Sequence, residues 1–229
     1  MAEKRKYDLH KSPRGVLIWP KLNVPDTKYK PDGEYKTSLR ISVALFVSSG
    51  LKDLIDAEAE KAFTNATDDK GNAVSPATRA KIKAKGPSYP YGPAFDKDGN
   101  ELEDQVDLKF AVGAGGVDRK TGETYSNKPK QFDAKGKPIS VALNIGTEAK
   151  VSFTCFPWAT AALGHGVALR PKAVQVLKLA ERGGSDAGYY GFEEEEDGYE
   201  YSKDLDGGEG EFDSEAPADA GSDEDQIPF

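Results

Sequence analysis

The sequence predicts a mainly β domain with inserted helices, followed by an acidic segment that does not fold. Three observations support this. Several segments alternate apolar and polar residues, the middle of the chain changes to helical spacing, and apolar residues become rare after Gly183. Alternation with a period of two is typical of half-buried strands, and apolar residues three and four apart are typical of one helix face. A length of 229 residues suits one sizeable domain with an appendage.

The first strands lie near the N-terminus. Residues 15–19 form a short apolar run, and Pro31-Asp32-Gly33 supplies turn chemistry after it. Residues 34–45 then alternate strictly, with an apolar residue or a threonine at every odd position. We therefore predict a half-buried strand over 34–45, with Lys36 and Arg40 on its polar face.

Two helices are predicted between the strands. Apolar residues from Leu51 to Phe63 recur at helical spacing, and Ser75-Pro76 is typical of a helix start, with the second helix running to about Lys85. The next segment, residues 86–93, contains three prolines and two glycines. We expect it to be an irregular loop that displays Tyr89 and Tyr91.

Strand patterns return after this loop. They cover residues 106–112, 139–145, 151–155 and 167–179, and the glycines of residues 113–116 indicate a bulge or a hairpin. Five or six short strands with one or two inserted helices favour a small closed barrel. The OB-fold is the commonest such barrel with a helix between strands.

The net charge of −8 conceals two bodies of opposite sign. Residues 183–229 carry 17 acidic side chains against the single Lys203, a net charge of −16, whereas residues 1–182 carry 30 basic and 22 acidic side chains, a net charge of +8. We therefore predict a folded domain over 1–182 and a disordered acidic tail over 183–229. The tail ends in the apolar residues Ile227-Pro228-Phe229, which suggests a partner pocket for Phe229.

Several classes of protein have no support in the sequence. A single cysteine and two histidines, Cys155, His10 and His165, cannot build a disulfide framework or a Cys/His zinc site. No signal peptide or membrane span is recognisable, and no catalytic motif is present. Residues 96–100 begin like a calcium loop, but Glu101 stands where that loop needs glycine, so a turn is favoured. We expect a non-enzymatic protein of a reducing compartment, without cofactors and without membrane association.

Several stretches, in this order, resemble the single-stranded-DNA-binding proteins of tailed phages with a podovirus-type replication system. They are residues 33–39 (GEYKTSL), 93–96 (PAFD), 108–110 (LKF), 118–124 (DRKTGET), 149–153 (AKVSF) and 156–158 (FPW), together with the acidic tail that closes on phenylalanine. The match spans nearly the whole chain, although no single stretch is a sharp motif.

The resemblance implies an OB-fold that coats single strands during replication, recombination and repair in the cytoplasm of the bacterial host. It also implies a tail that docks the replicative polymerase and the helicase-primase, and a possible homodimer. We assign partner docking to the tail residues Asp223, Glu224, Asp225 and Phe229. By position, Lys109, Lys150 and Trp158 look like the family's DNA-contacting residues.

Sequence-independent binding of single strands needs cations for the phosphates and aromatic faces for the bases. The candidates for these roles are Lys36, Arg40, Tyr89, Tyr91, Lys109, Lys150, Phe156 and Trp158. Lys150 and Phe156 share one face of a predicted strand, and Trp158 follows Pro157, where we expect that strand to end or bend.

Plainer interpretations of these residues stay open. Basic residues on a strand face are often only solvated, the two tyrosines could pack their loop against the barrel, and Phe156 and Trp158 could cap the core. For the whole chain, the alternative is an acidic-tailed chaperone or nucleic-acid mimic that binds basic partners. The basic surplus of residues 1–182 favours DNA.

Overall fold

The fold is known from a computed structural model, which describes residues 7–68, 70–118 and 121–180. All of these belong to one compact unit, Met1–Ser185. The second unit, Asp186–Phe229, lies outside the described residues, and so do the expectations about the tail and its residues Asp223, Glu224, Asp225 and Phe229. No helix in the described part of the chain is long and apolar enough to cross a membrane.

The described residues are mainly in strands, with a group of helices inserted in the first half. The helices are α1 (Val43–Ser48), α2 (Leu51–Thr64) and α3 (Pro76–Lys85). The strands are β1 (Leu9–Lys11), β2 (Gly15–Asp26), β3 (Glu34–Ser42), β4 (Pro87–Ser88), β5 (Tyr91–Phe95), β6 (Glu101–Gly113), β7 (Gly115–Val117), β8 (Thr124–Ser126), β9 (Lys130–Phe132), β10 (Pro138–Ile139), β11 (Glu148–Thr160) and β12 (Gly164–Lys178).

Five of these strands close into a barrel. The pairs β2–β3, β3–β6 and β11–β12 are antiparallel, and β11 returns to β2 through the antiparallel pair Glu148 and Val16. The closure between β6 and β12 is parallel, at Phe110 and Leu169. The barrel order is therefore β2-β3-β6-β12-β11, with one parallel pair. This arrangement confirms the predicted OB-like, mainly β fold with inserted helices.

The core fills the barrel and extends beneath α2. Phe110 and Phe153 meet edge to face inside it, with ring centroids 5.3 Å apart, and both are fully buried. α2 closes one end, where it buries Leu51 and Ile55. The predicted bounds of α3 are confirmed, because the Ser75 hydroxyl accepts a hydrogen bond from the backbone N–H of Thr78 and Pro76 opens the helix.

The strand predicted over residues 34–45 was too long. β3 ends at Ser42, whose hydroxyl accepts a hydrogen bond from the backbone N–H of Leu45 and so caps α1. Val43 and Leu45 consequently lie on a helix with exposed side chains. The alternation continued past Ser42 by chance, and the capping contact decided the local structure.

The strand predicted over residues 139–145 was also wrong beyond Ile139. The Asn23 side chain takes the place of a neighbouring strand there. Its amide nitrogen donates to the Val141 carbonyl at 2.6 Å, and its carbonyl oxygen accepts from the Leu143 N–H at 3.1 Å. Since a side chain satisfies these backbone groups, the segment does not need to pair with a neighbouring strand.

Two expectations about proline were wrong as well. The segment over residues 86–93 contains β4 and the start of β5, with a register shift after Pro93. β11 likewise continues through Pro157 to Thr160. At that level β11 pairs with β12 alone, so a proline facing the open edge removes no ladder hydrogen bond.

The turns are as expected. Gly33 has a φ of 76°, and its N–H donates to the Lys30 carbonyl at 2.8 Å. The Asp96 carboxylate accepts from the backbone N–H groups of Asp98 and Asn100, which makes an ordinary turn. β7 and β8 form the hairpin indicated by the glycines of residues 113–116.

Candidate nucleic-acid interface

The outer face of β2, β3 and β6 carries a basic groove. Strand alternation turns Tyr35 and Leu39 into the core and leaves Lys36 and Ser38 outside. Ser38 pairs with Lys109 of β6, so both predicted lysines lie on the same outer face. We call this the barrel groove. It encloses about 250 Å³ and is lined by Ile18, Trp19, Lys36, Thr37, Ser38, Lys109, Phe110 and Ala111.

Trp19 is the prominent aromatic residue of the barrel groove. Its side chain is 73% exposed, and its φ of 49° is the only positive value at a non-glycine residue among residues 7–68, 70–118 and 121–180. The strand register shifts between Ile18 and Lys21, so an irregularity in β2 turns the indole outward. A left-handed backbone costs a bulky residue of order 1 kcal/mol.

Sequence reasoning did not place Trp19 in the binding site. The short apolar run of residues 15–19 made it look like the last residue of a strand. The only available signal was Pro20 directly after it, since proline within a strand is typical of a bulge or an edge.

Lys36 lies where the groove approaches the turn between β2 and β3. Its ammonium nitrogen is 2.6 Å from an Asp26 carboxylate oxygen. This hydrogen bond raises the pKa of Lys36 and lowers that of Asp26. The exposed ring of Tyr29 lies below the ammonium nitrogens of Lys28 and Lys36, at 5.3 and 5.9 Å from its centroid. A phosphate at Lys36 therefore competes with Asp26.

Arg40 is engaged within the protein. Its guanidinium donates to both carboxylate oxygens of Asp107, at 2.8 and 2.9 Å, and to the Phe95 carbonyl at 2.8 Å. The hydrogen bonds to Asp107 raise the pKa of Arg40. Together with the contact to Phe95, they join β3, β6 and β5, so Arg40 positions the groove wall in this structure, and its Nε and Nη2 groups already have acceptors.

Tyr89 and Tyr91 lie beside the groove but differ in availability. The Pro90 carbonyl accepts from the Lys109 N–H at 2.7 Å, so this segment borders the groove. The Tyr91 hydroxyl donates to Asp56 at 2.8 Å, and burial raises its pKa. Tyr89 stacks on Tyr91 with ring centroids 5.1 Å apart and is 40% exposed. Tyr91 supports Tyr89, whose ring is partly open to solvent.

The other predicted site residues lie elsewhere on the barrel. Lys150 and Phe156 are on the outer side of β11, where Phe156 contacts Arg170. Trp158 faces Gly166 across the β11–β12 pair and lines a groove formed with the C-terminal half of α2. The structure thus brings Lys36, Lys109 and Trp19 together in the barrel groove. Lys150, Phe156 and Trp158 lie on β11, outside that groove.

The closed barrel with a basic, aromatic groove on its outer face is similar in fold to single-stranded-DNA-binding proteins of bacteriophages. Two solved structures show the likeness. That of gp2.5, a single-stranded DNA binding protein encoded by bacteriophage T7, is 25% identical and superposes with a TM-score of 0.59, over 86% of this chain and 100% of the chain in that structure.

The second structure is the single-stranded-DNA-binding protein of bacteriophage Enc34 in complex with single-stranded DNA. It is 13% identical and superposes with a TM-score of 0.50, over 77% of this chain and 89% of the Enc34 chain, which shows a shared fold. No protein-family model matches the chain, and no curated protein matches it. The family resemblance found in the sequence is confirmed by the three-dimensional structure.

Proposed function

We propose that this protein binds single-stranded DNA, without sequence preference, through the barrel groove during phage DNA replication. The observation that carries the proposal is Trp19, which is exposed in a strained conformation on β2 and lines one groove with Lys36 and Lys109. The indole face would stack on a base, while Lys36 and Lys109 would neutralise phosphates. The likeness to phage DNA-binding proteins supports the same conclusion.

Intrinsic fluorescence tests this proposal directly. Oligo-dT should quench the emission of Trp19, and duplex DNA should quench it much less, because paired bases cannot stack on a protein ring. The titration is best followed in a Trp158→Phe background, where Trp19 is the sole tryptophan. Equal affinity for single and double strands at low salt would contradict the proposal.

Lys109 should contribute mainly through charge. Lys109→Gln is expected to reduce the slope of log affinity against log salt by about 0.7, because one fewer counterion is released. Its effect on affinity should therefore be largest at low salt and small at high salt. Titrations at several salt concentrations measure this, with Lys83→Gln on the exposed face of α3 as the matched control. A loss that is the same at all salt concentrations would assign Lys109 another role.

The acidic tail, residues 183–229, completes the proposal as a regulatory arm. A flexible chain of that length has a root-mean-square span of roughly 35–40 Å, against a radius of gyration of about 16 Å for a compact domain of residues 1–182. The tail can then reach the barrel groove at an effective concentration on the order of millimolar. We propose that it competes with DNA and becomes available to partners once DNA is bound.

Removing charge from the tail should tighten DNA binding. Replacing residues 193–197 by their amides leaves the chain length unchanged and removes five negative charges. We expect affinity for oligo-dT to rise several-fold, up to about tenfold, at low salt and to converge with the unmodified protein at high salt. Deleting residues 205–229 should act in the same direction. Weaker binding by either variant would rule out competition.

The partners of the tail also belong to the proposal. Asp223, Glu224, Asp225 and Phe229 combine charge with a terminal aromatic ring, which suits a basic surface with an apolar pocket. We propose the replicative polymerase and the helicase-primase as these partners, with roles in recombination and repair, in the host cytoplasm. Exchange of tails between two subunits would produce a homodimer. In a pull-down with either partner, Phe229→Ala should lose binding while DNA affinity is kept.

A further inference from the structure

A second basic groove lies on the outer face of β1, β11 and β12. It encloses about 350 Å³, and we call it the outer groove. Its lining combines two lysines, two large apolar side chains and two polar side chains, namely Lys11, Lys150, Leu9, Phe132, Ser152 and Gln175. Leu9 is 62% exposed, so the apolar part of this surface is open to solvent.

Arg170 lies on β12, next to the same strands. It pairs with Thr154 of β11, two residues along from Ser152, and its guanidinium carbon is 3.3 Å from the ring centroid of Phe156. Tyr7 contacts the same ring, with centroids 5.6 Å apart. Burial lowers the pKa of Arg170.

Arg170 has no acidic partner among the described residues. No ion pair and no side-chain hydrogen bond links its guanidinium to residues 7–68, 70–118 or 121–180, although that group carries five N–H donors. Partly desolvated charge without a partner is costly, and an anion would remove that cost. This contrasts with Arg40, whose Nε and Nη2 groups donate to Asp107 and to the Phe95 carbonyl.

The acidic residues near the outer groove have other partners. Glu148 is paired with Arg14. Asp8 directly precedes β1 and is close enough to Lys61 of α2 to act electrostatically on that lysine, whose pKa is raised mainly by its hydrogen bond to Glu58. The Asp133 carboxylate accepts backbone N–H groups in the β9–β10 turn. Lys11, Lys150 and Arg170 thus take part in no ion pair with the residues that the structure describes.

The three basic side chains extend over a distance greater than the size of a single phosphate group. Lys150, Lys11 at the level of Ser152, and Arg170 at the level of Thr154 follow one another in two-residue steps along β11. At about 3.3 Å per residue, they cover roughly 13 Å. A chain of phosphates matches such a row, and Leu9 and Phe132 offer apolar contact to flat bases between the phosphates.

We propose that the outer groove is a second binding site for single-stranded DNA, in which Arg170, Lys11 and Lys150 bind successive phosphates. This inference rests on the proposed function and extends it, because a strand held in the barrel groove continues over β11 and β12. The length of DNA then decides which surfaces are used. A short oligonucleotide fills the barrel groove alone, and a longer one engages both grooves.

Two lengths of oligo-dT separate the grooves. One OB-fold covers about 4–16 nucleotides, so we choose oligomers of about 6 and about 25 nucleotides. The full-length variant Lys150→Gln/Arg170→Gln should bind the longer oligomer about tenfold more weakly at low salt, with the salt slope reduced by about 1.4. Its affinity for the 6-mer should be unchanged. Lys109→Gln should weaken the binding of both lengths.

Two further variants distinguish the loss of a DNA contact from a folding defect. Lys11→Gln changes an exposed side chain and should weaken the binding of only the longer oligomer, whereas Arg170→Lys keeps the charge and should recover most of that binding. Circular dichroism and thermal unfolding check that each variant is folded.

Several outcomes would overturn the inference. If Lys150→Gln/Arg170→Gln lost affinity equally for both oligomers, these residues would belong to the binding site of the short oligomer. If it lost affinity for neither, they would take no part in DNA binding. If that variant bound the longer oligomer more tightly than the unmodified protein does, the outer groove would be a binding site for the acidic tail instead. Failure of the unmodified protein to bind even the 6-mer would instead refute the proposed function, which is a separate result.

Discussion

Trp19→Ala should lower the affinity for oligo-dT about 5- to 150-fold at every salt concentration. Stacking of a base on an aromatic side chain is worth about 1–3 kcal/mol, and the loss of a neutral ring leaves the number of released counterions unchanged. The salt slope should therefore stay the same while the intercept falls. Titration with oligo-dT, followed by fluorescence anisotropy of a labelled oligomer, measures both quantities.

Glycine at the same position separates binding from stability. Trp19→Gly removes the indole as alanine does, but it also suits a φ of 49°, which an L side chain does not. We expect Trp19→Gly to unfold at a higher temperature than Trp19→Ala and to bind DNA equally weakly. Trp19→Phe should retain much of the affinity. Full binding by Trp19→Ala would exclude this residue from the site.

Trp158 provides the matched comparison, because the sequence favoured it as the stacking residue. The structure places it against the C-terminal half of α2, opposite Gly166. We expect Trp158→Ala to change the melting temperature more than the affinity for DNA. If it weakened binding more than Trp19→Ala, the DNA path would have to cross the α2 side of the barrel.

Asp107→Ala should destabilise the fold by about 2 kcal/mol. The substitution leaves the half-buried guanidinium of Arg40 with the Phe95 carbonyl alone, and lost hydrogen bonds between charged groups typically cost this much. Chemical denaturation followed by circular dichroism measures the change in free energy. Because Arg40 joins three strands, β5 should also loosen, and Trp19 quenching by DNA should weaken moderately.

Two controls separate the ion pair from the general loss of a side chain. Arg40→Met/Asp107→Leu removes both charges and should recover part of the stability, since no charge remains unpaired. Lys61→Ala breaks an exposed ion pair with Glu58 on α2 and should leave the melting temperature nearly unchanged. Equal destabilisation by Asp107→Ala and the double variant would show that packing, not the ion pair, matters at this position.

Local patterns predicted the regular parts of the fold well. Alternation identified β6 and β11, and the Ser75-Pro76 cap identified the start of α3. These elements are encoded by neighbours along the chain, through strand period and end capping. The errors at residues 43–45, 86–93 and 139–145 have a shared cause. In each, a contact from elsewhere in the chain or from a capping side chain satisfied the backbone groups differently from the local pattern.

In the candidate site, too, local patterns predicted some features and contacts between remote residues decided others. Lys36 and Lys109 were predicted because each stands on the polar face of a strand, and their pairing across β3 and β6 places them in one groove. Arg40 satisfied the same pattern, yet Asp107 and Phe95 occupy its donors. No local signal distinguishes a free cation from one whose partner lies 67 residues further along the chain.

The sequence by itself determined the class of fold, the opposite charges of the two parts of the chain and the basic strand faces, because composition and periodicity are properties of neighbouring residues. Only the tertiary structure decided which of those faces meet, that Trp19 is exposed at a break in β2, and that Arg170 has no acidic partner among the described residues. Strand register and the distances between remote side chains depend on how the barrel closes, and the closing contacts join residues far apart in the chain.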